Sequence, residues 1–94
     1  MKRIVVACGN GVATSQAVAF KINRMLEKAK VHTAIVEAAN LRSLERELHG
    51  AIAYVEVMKS DMDYGIPKID GLAFLYGENK DREFNKLLDI IENS

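Results

Sequence analysis

The chain has 94 residues, a length that fits one domain spanning residues 1–94 with a single core and no deep enclosed cleft. Its 13 basic and 13 acidic residues cancel, which gives little support to nucleic-acid binding. No apolar run approaches the roughly 18 residues of a membrane span, and a single cysteine excludes an internal disulfide framework.

Strand and helix patterns alternate along the first half of the chain. Residues 4–7 are apolar without alternation, which predicts a strand buried on both faces. Residues 15–29 carry an apolar stripe at helical spacing, and residues 30–37 predict a second strand. Asn40 is then a suitable N-cap for a short helix that carries Leu41, Leu44 and Leu48.

The second half continues this order with one irregular stretch. Residues 51–58 predict a third strand, Leu72–Tyr76 a fourth, and residues 81–92 a final helix. Between them, residues 59–70 contain Gly65 and Pro67, so we expect a loop there, with room for one helical turn at residues 60–64.

Strands that alternate with helices predict parallel βαβ units. We therefore expect an α/β fold of Rossmann-like type, with a small open four-stranded parallel sheet flanked by helices. Ligands bind such sheets at the carboxyl ends of the strands. We therefore expect the loop after the first strand and residues 59–67 to lie close together at this edge. His32 and His49 would lie toward the opposite edge, so we expect no metal or phosphohistidine role for them.

Cys8 opens a run of small residues between the first strand and the first helix. The run is Cys8-Gly9-Asn10-Gly11-Val12-Ala13-Thr14-Ser15. Such a loop directs backbone N–H groups and the positive end of a helix dipole toward one point, which suits a phosphate or an anionic sulfur. The same field is expected to lower the pKa of the Cys8 thiol below its usual value. This segment predicts a phosphoryl group that Cys8 carries or attacks.

Other phosphate or thiol motifs do not fit this loop. A P-loop needs a lysine where Ala13 stands, a dinucleotide fingerprint needs a third glycine where Thr14 stands, and a thioredoxin motif needs a cysteine where Gly11 stands. Low-molecular-weight tyrosine phosphatases share the strand, cysteine loop and helix, but have an arginine at the position of Thr14. The loop can therefore hold a phosphoryl group but lacks the side chain that promotes its hydrolysis.

Two further hypotheses stay open beside a phosphate carrier. One is a cysteine-dependent phosphatase, which would need an arginine from elsewhere in the chain. The other is a non-catalytic interaction or regulatory module that keeps the fold without covalent phosphate. The arginines available to the phosphatase hypothesis are Arg3, Arg24, Arg42, Arg46 and Arg82.

The motif and the tail of the chain resemble the enzyme IIB component of the phosphoenolpyruvate-dependent sugar phosphotransferase system (PTS), of the galactitol type. The signature Cys-Gly-x-Gly-[IVM]-[AS]-Thr-Ser matches residues 8–15, and the tail matches at residues 64–67, Gly71 and Gly77. The resemblance covers essentially the whole chain. Asn10 departs from the pattern, because small residues such as Ser or Thr are commoner there.

The resemblance implies a cytoplasmic phosphocarrier without a metal or nucleotide cofactor. Cys8 would accept a phosphoryl group from a phosphohistidine on a IIA protein and pass it to a sugar or polyol held by the membrane IIC protein. Gly9, Asn10, Gly11, Val12, Ala13, Thr14 and Ser15 would form the phosphate-binding loop. We expect a monomer that neither binds nucleic acid nor inserts into the membrane, with Phe20, Met62 and Tyr64 as candidate docking residues.

Overall fold

The computed structural model of the chain describes residues 1–8, 12–58 and 61–94, and for Cys8 and Val12 it describes the backbone alone. The strands are β1 (Lys2–Cys8), β2 (Ala34–Asn40), β3 (Ala51–Glu56) and β4 (Lys68–Asp70). In the described residues they form one sheet of four strands, all parallel, in the order β2-β1-β3-β4. The predicted α/β class and four-stranded parallel sheet are confirmed.

Helices cover both faces of this sheet. They are α1 (Val12–Lys28), α2 (Leu44–Glu47), α3 (Leu72–Tyr76) and α4 (Lys80–Glu92), with a 3-10 turn at Leu41–Ser43 before α2. On one face α1, α3 and α4 share an apolar core with alternate residues of the strands. On the other face α2 and residues 61–67 cover a second, smaller cluster. The predicted final helix is confirmed.

β1 lies between β2 and β3, inside the sheet. Ile4 and Val6 face the larger cluster and Val5 the smaller one, and all three are 0% exposed. A strand that is buried on both faces has no need of polar alternation, which explains the unbroken apolar run in the sequence. This strand brings Cys8 to the carboxyl edge of the sheet.

The prediction of a strand at Leu72–Tyr76 is wrong, because this segment forms α3. The fourth strand is Lys68–Asp70, inside the predicted loop. There the Asp70 carboxylate accepts the Leu72 N–H at 3.0 Å, and the Gly71 N–H donates to a β3 carbonyl at 2.8 Å, so the chain turns into a helix. Five successive apolar residues fit a buried strand and a buried helical turn equally well, so the pattern alone misassigned them.

The second strand begins at Ala34 rather than at residue 30, because the end of α1 uses the intervening residues. Lys30 adopts a φ of 60°, and the Val31 N–H bonds back to the Leu26 carbonyl at 2.9 Å. A left-handed residue followed by such a bond is a common way to end a helix.

Two smaller boundaries and one predicted turn also differ from the prediction. α1 begins at Val12 rather than near Ser15, and β3 ends at Glu56 rather than at residue 58. Residues 61–64 carry no helical turn, and residues 59–60 lie outside the described residues. The β3–β4 connection is thus an extended crossover in its described part.

Side chains from two helices bond to the edge strands. On β2, the Asn23 amide of α1 donates to the Val36 carbonyl and accepts the Val36 N–H, both at 2.9 Å. On β4, the Glu83 carboxylate of α4 accepts the Asp70 N–H at 2.8 Å. These bonds satisfy backbone groups that an edge strand leaves unpaired. They also fix α1 and α4 against the sheet.

Candidate active site

Cys8 is the last residue of β1 and lies at the carboxyl edge of the sheet. In the β1–β2 register it stands opposite Asn40, the last residue of β2. α1 begins at Val12, so a helix N-terminus follows the cysteine closely in the chain. Residues 9–11 lie outside the described residues, so the loop conformation itself stays a prediction, while the strand before it and the helix after it are confirmed.

The N-terminus of α1 supplies the electrostatics of this edge. The N–H groups of Val12, Ala13 and Thr14 have no carbonyl partner within the helix, as in the first turn of any α-helix. The peptide dipoles of its 17 residues add to a partial positive charge at this end. The first turn contains no acidic residue that would oppose an anion. The arrangement can therefore stabilise a thiolate or a phosphoryl oxygen at the end of β1.

The two hydroxyl residues of the motif take different positions in α1. Thr14 is half-buried, whereas the Ser15 side chain is 0% exposed and shares the core side of the helix with Val18 and Ile22. α1 begins before both of them, so neither Thr14 nor Ser15 is its N-cap. Of these two hydroxyls, that of Thr14 is the one with access to the surface.

Carboxylates near the carboxyl edge are engaged in local bonds. The Glu56 carboxylate at the end of β3 lies 3.5 Å from the Lys68 ammonium, and the Asp70 carboxylate accepts a backbone N–H of α3. Asp63 accepts the backbone N–H of the residue two positions later at 2.8 Å. Asp61 and Asp63 are both exposed, as expected for residues of a solvated loop. These contacts reduce the negative potential that the three bonded carboxylates present to a phosphoryl group.

Residues 61–67 cross from β3 to β4 over the α2 face of the sheet. The Tyr64 ring packs edge-on against Tyr54, with ring centroids 5.3 Å apart. Tyr64 and Ile66 pack against the cluster that contains Ala7, the neighbour of Cys8 in β1. The described part of the predicted neighbouring segment therefore packs on the same apolar cluster as Ala7.

Large apolar side chains are exposed around this edge. Met58 and Met62, on either side of residues 59–60, are 60% and 58% exposed, and Leu41 after β2 is 45% exposed. Phe20, a candidate docking residue, lies on the outer face of α1 and is 62% exposed. Apolar side chains that remain in solvent beside a candidate site indicate a surface that contacts a partner.

The five arginines that the phosphatase hypothesis requires have other surroundings. Arg3 pairs with two glutamates at 3.1 and 3.5 Å near the amino edge of the sheet. Arg24 lies over an exposed aromatic ring of α1, and Arg82 lies 3.8 Å from a buried glutamate of α4. Arg42 and Arg46 line a shallow pocket beside α2. None of these described contacts places a guanidinium at the end of β1.

The histidines lie away from this edge. His32 precedes β2 and His49 precedes β3, so both are at the amino edge of the parallel sheet, as predicted. Among residues 1–8, 12–58 and 61–94, no group of three or more His, Cys, Asp or Glu side chains is arranged to hold a metal ion. In the same described ranges no helix has the length and apolar character needed to cross a membrane.

Comparisons with known proteins identify a family for the chain. Residues 3–86 match the family described as "PTS system, Lactose/Cellobiose specific IIB subunit". The matched region contains Cys8, the loop after it, all of β2, β3 and β4, and β1 except for Lys2.

Individual relatives cover most of the chain. A protein of Escherichia coli (strain K12) named "Putative phosphotransferase enzyme IIB component SgcB" is 35% identical over 81 residues, which cover 86% of this chain and 87% of that protein. Two proteins named "PTS system galactitol-specific EIIB component", from E. coli (strain K12) and Shigella flexneri, are 27% and 26% identical over 92 residues. Each of these two alignments covers 97% of both chains.

Proposed function

The chain belongs to the lactose/cellobiose-type IIB family of the sugar phosphotransferase system, and from this premise we propose that it is a phosphocarrier whose Cys8 holds the phosphoryl group. A IIB subunit is a phosphotransferase component, so the class of reaction follows from the family. The observation that carries the assignment to Cys8 is its position at the end of a buried parallel strand, shortly before the N-terminus of α1. Ligands bind parallel α/β sheets at this edge.

The proposed transfer consists of two in-line displacements at phosphorus. In the first, the Cys8 thiolate attacks the phosphohistidine of a IIA protein; an S–P bond forms, the N–P bond breaks, and the leaving imidazole takes up a proton. In the second, a sugar or polyol hydroxyl attacks phosphocysteine; an O–P bond forms, the S–P bond breaks, the hydroxyl proton passes to solvent, and the thiolate is regenerated. The contribution of the protein is positioning and charge stabilisation.

Residues 9–15 are the proposed phosphate-binding loop. The first N–H groups of α1 and the Thr14 hydroxyl would donate to phosphoryl oxygens, while the buried Ser15 would hold the first turns of α1 against the core. A carrier has to keep phosphocysteine from hydrolysing before the acceptor arrives. Thr14 at the position of the phosphatase arginine favours that behaviour, because the loop then has no guanidinium to stabilise attack by water.

We further propose that a phosphorylated IIA protein and a membrane IIC protein meet Cys8 in turn. Met58, Met62 and Phe20 are exposed and suited to dock with them. Tyr64 is also a docking candidate from the sequence, but its packing on Tyr54 supports a role in holding residues 61–67 on the sheet. In this proposal the chain acts as a monomeric cytoplasmic subunit that exchanges the phosphoryl group with each partner in turn.

Galactitol is the first acceptor to test, because two relatives that align over 97% of this chain are named galactitol-specific. Lactose and cellobiose are the comparison acceptors, since the family description names them. The assay combines phosphoenolpyruvate, the general phosphotransferase proteins, IIA and membranes that contain IIC, and it measures the sugar phosphate formed.

We predict that the wild-type chain supports formation of galactitol phosphate and that Cys8→Ser abolishes it. Thr14→Val should lower the rate about tenfold, because a charge-assisted hydrogen bond to the phosphoryl group is lost. Thr33→Val is the matched control, since Thr33 is exposed at the amino edge. If phosphoryl transfer occurs to lactose or cellobiose but not to galactitol, galactitol is rejected as the acceptor. If the Cys8→Ser variant supports transfer as the wild type does, the interaction-module hypothesis is favoured.

The phosphatase hypothesis is tested in the same preparations with para-nitrophenyl phosphate. A carrier should show no sustained release of nitrophenol. Sustained turnover that Cys8→Ser removes would replace the carrier by a phosphatase.

A further inference from the structure

A groove of about 380 Å³ separates the C-terminal half of α1 from the turn between α3 and α4. Its floor is apolar, with Met25 and Leu75 half-buried and Phe74 buried. Its rim is basic and exposed. The rim cations are Lys21, Arg24 and Lys28 of α1 and Lys80 of α4, and we call this site the basic groove.

Among the described residues, none of these four cations has a carboxylate within ion-pair distance. No acidic residue lines the groove, and the ion pairs within the described ranges involve other basic residues. The whole chain has 13 basic and 13 acidic residues, so nine basic and thirteen acidic residues remain elsewhere. The balanced net charge therefore conceals a groove whose lining carries four cations and no acid, and a bound anion would complement that lining.

The basic groove lies away from the candidate active site. Lys21 and Lys28 are nine and sixteen residues beyond Val12, the first residue of α1. At the rise of an α-helix these intervals correspond to about 14 and about 24 Å along the helix axis. An occupant of the groove can therefore leave Cys8 accessible.

We propose that the basic groove binds an acidic segment of a partner protein at a surface separate from Cys8. The rim complements carboxylates, and the floor accepts apolar side chains interspersed among them. The Arg24 guanidinium lies 5.7 Å from the ring centroid of Phe20, and this cation–π contact orients the cation at the rim. A flat bilayer would reach the rim and leave the concave floor empty, which favours a protein segment.

This inference goes beyond the proposed function and does not depend on the chemistry of Cys8. A subunit that exchanges phosphoryl groups at one edge would remain attached to a partner through another surface. Attachment through the groove raises the effective concentration of the chain beside that partner. Encounters at Cys8 then become more frequent without any new contact at the active site.

The test uses the full chain and a fluorescein-labelled peptide of glutamates with leucine at every fourth position. Fluorescence anisotropy should detect binding at low ionic strength that weakens as added salt shortens the Debye length from about 30 Å to about 8 Å. The double variant Lys21→Gln/Lys28→Gln should bind about tenfold more weakly. The matched control Arg42→Gln/Arg46→Gln removes two exposed cations beside α2 and should bind as the wild type does.

Two further measurements decide the location and the kind of partner. Labelling of Cys8, the single cysteine, by a thiol reagent should proceed at the same rate with and without the peptide. The proposal would be overturned if the peptide does not bind, or if both double variants bind it more weakly by the same factor. Slower labelling of Cys8 in the presence of the peptide would also overturn it. Binding to anionic lipid vesicles that requires Lys21 and Lys28, with no binding of the peptide, would overturn it in favour of a membrane surface.

Discussion

Asn40 stands opposite Cys8 at the ends of two neighbouring strands. The sequence identified Asn40 as a helix cap, and its Oδ1 does accept the Arg42 N–H at 2.9 Å. Its place beside Cys8 was not predictable, because it depends on the β1–β2 register and the sequence placed β2 several residues too early. The position of Cys8 was predictable, since an unbroken apolar run ends at a small-residue loop there.

Asn23 is a second residue whose role required the structure. Its two bonds to Val36 join α1 to the outer edge of β2. Asn23→Ala leaves the Val36 N–H and carbonyl without these partners, and Val36 is buried. We predict a loss of about 1–3 kcal/mol in the free energy of unfolding, measured by urea denaturation.

The control for this prediction is Gln16→Ala, which removes an exposed amide from the same helix. Its effect should stay within about 0.5 kcal/mol. Equal stabilities of Asn23→Ala and the wild type would show that water replaces the Asn23 bonds at no cost.

At the scale of elements, the long periodic segments were predictable and the short ones were not. α1 and α4 repeat their buried residues at helical spacing over several turns, which leaves no competing interpretation. β4 has three residues, Lys68–Asp70, of which Ile69 alone is fully buried, so no period exists to detect. α3 is five residues long and was mistaken for a strand for the same reason.

The turn from β4 into α3 leaves little room for a side chain at Gly71. A Cβ at Gly71 would lie 3.0 Å from the Glu56 carbonyl oxygen and 3.0 Å from the Val55 Cγ1 atom. We predict that Gly71→Ala lowers the free energy of unfolding by about 1–3 kcal/mol, as overpacking does. Urea denaturation measures this loss.

Gly77 provides the matched comparison at the other end of α3. Its φ is 81°, and a Cβ at this position would meet no atom within 4 Å, so the cost of Gly77→Ala is backbone strain of about 1–2 kcal/mol. Asn tolerates a left-handed backbone, so Gly77→Asn should be more stable than Gly77→Ala. Gly71→Asn should be less stable than Gly71→Ala, because the larger side chain meets the same close atoms. The opposite order of the Asn variants would contradict the steric explanation.

At the scale of the whole molecule, the fold class was predictable from the alternation of strand and helix patterns, and the family from two separated motifs, the cysteine loop and the tail. The charge distribution was not predictable, because a net charge of zero does not indicate that three cations of α1 line the same groove as Lys80. This convergence depends on α3, which brings the chain back toward α1 before α4 begins. With α3 taken as a strand, the basic groove could not be foreseen.

The measurement that tests the central claim most directly is the intact mass of the protein after incubation with phosphoenolpyruvate, the general phosphotransferase proteins and IIA. We predict one phosphoryl adduct that maps to Cys8, is absent from Cys8→Ser, and disappears when IIC membranes and the acceptor sugar are added. No adduct in the presence of a demonstrably phosphorylated IIA, or an adduct that persists in Cys8→Ser, would contradict the assignment of Cys8 as the phosphoryl carrier.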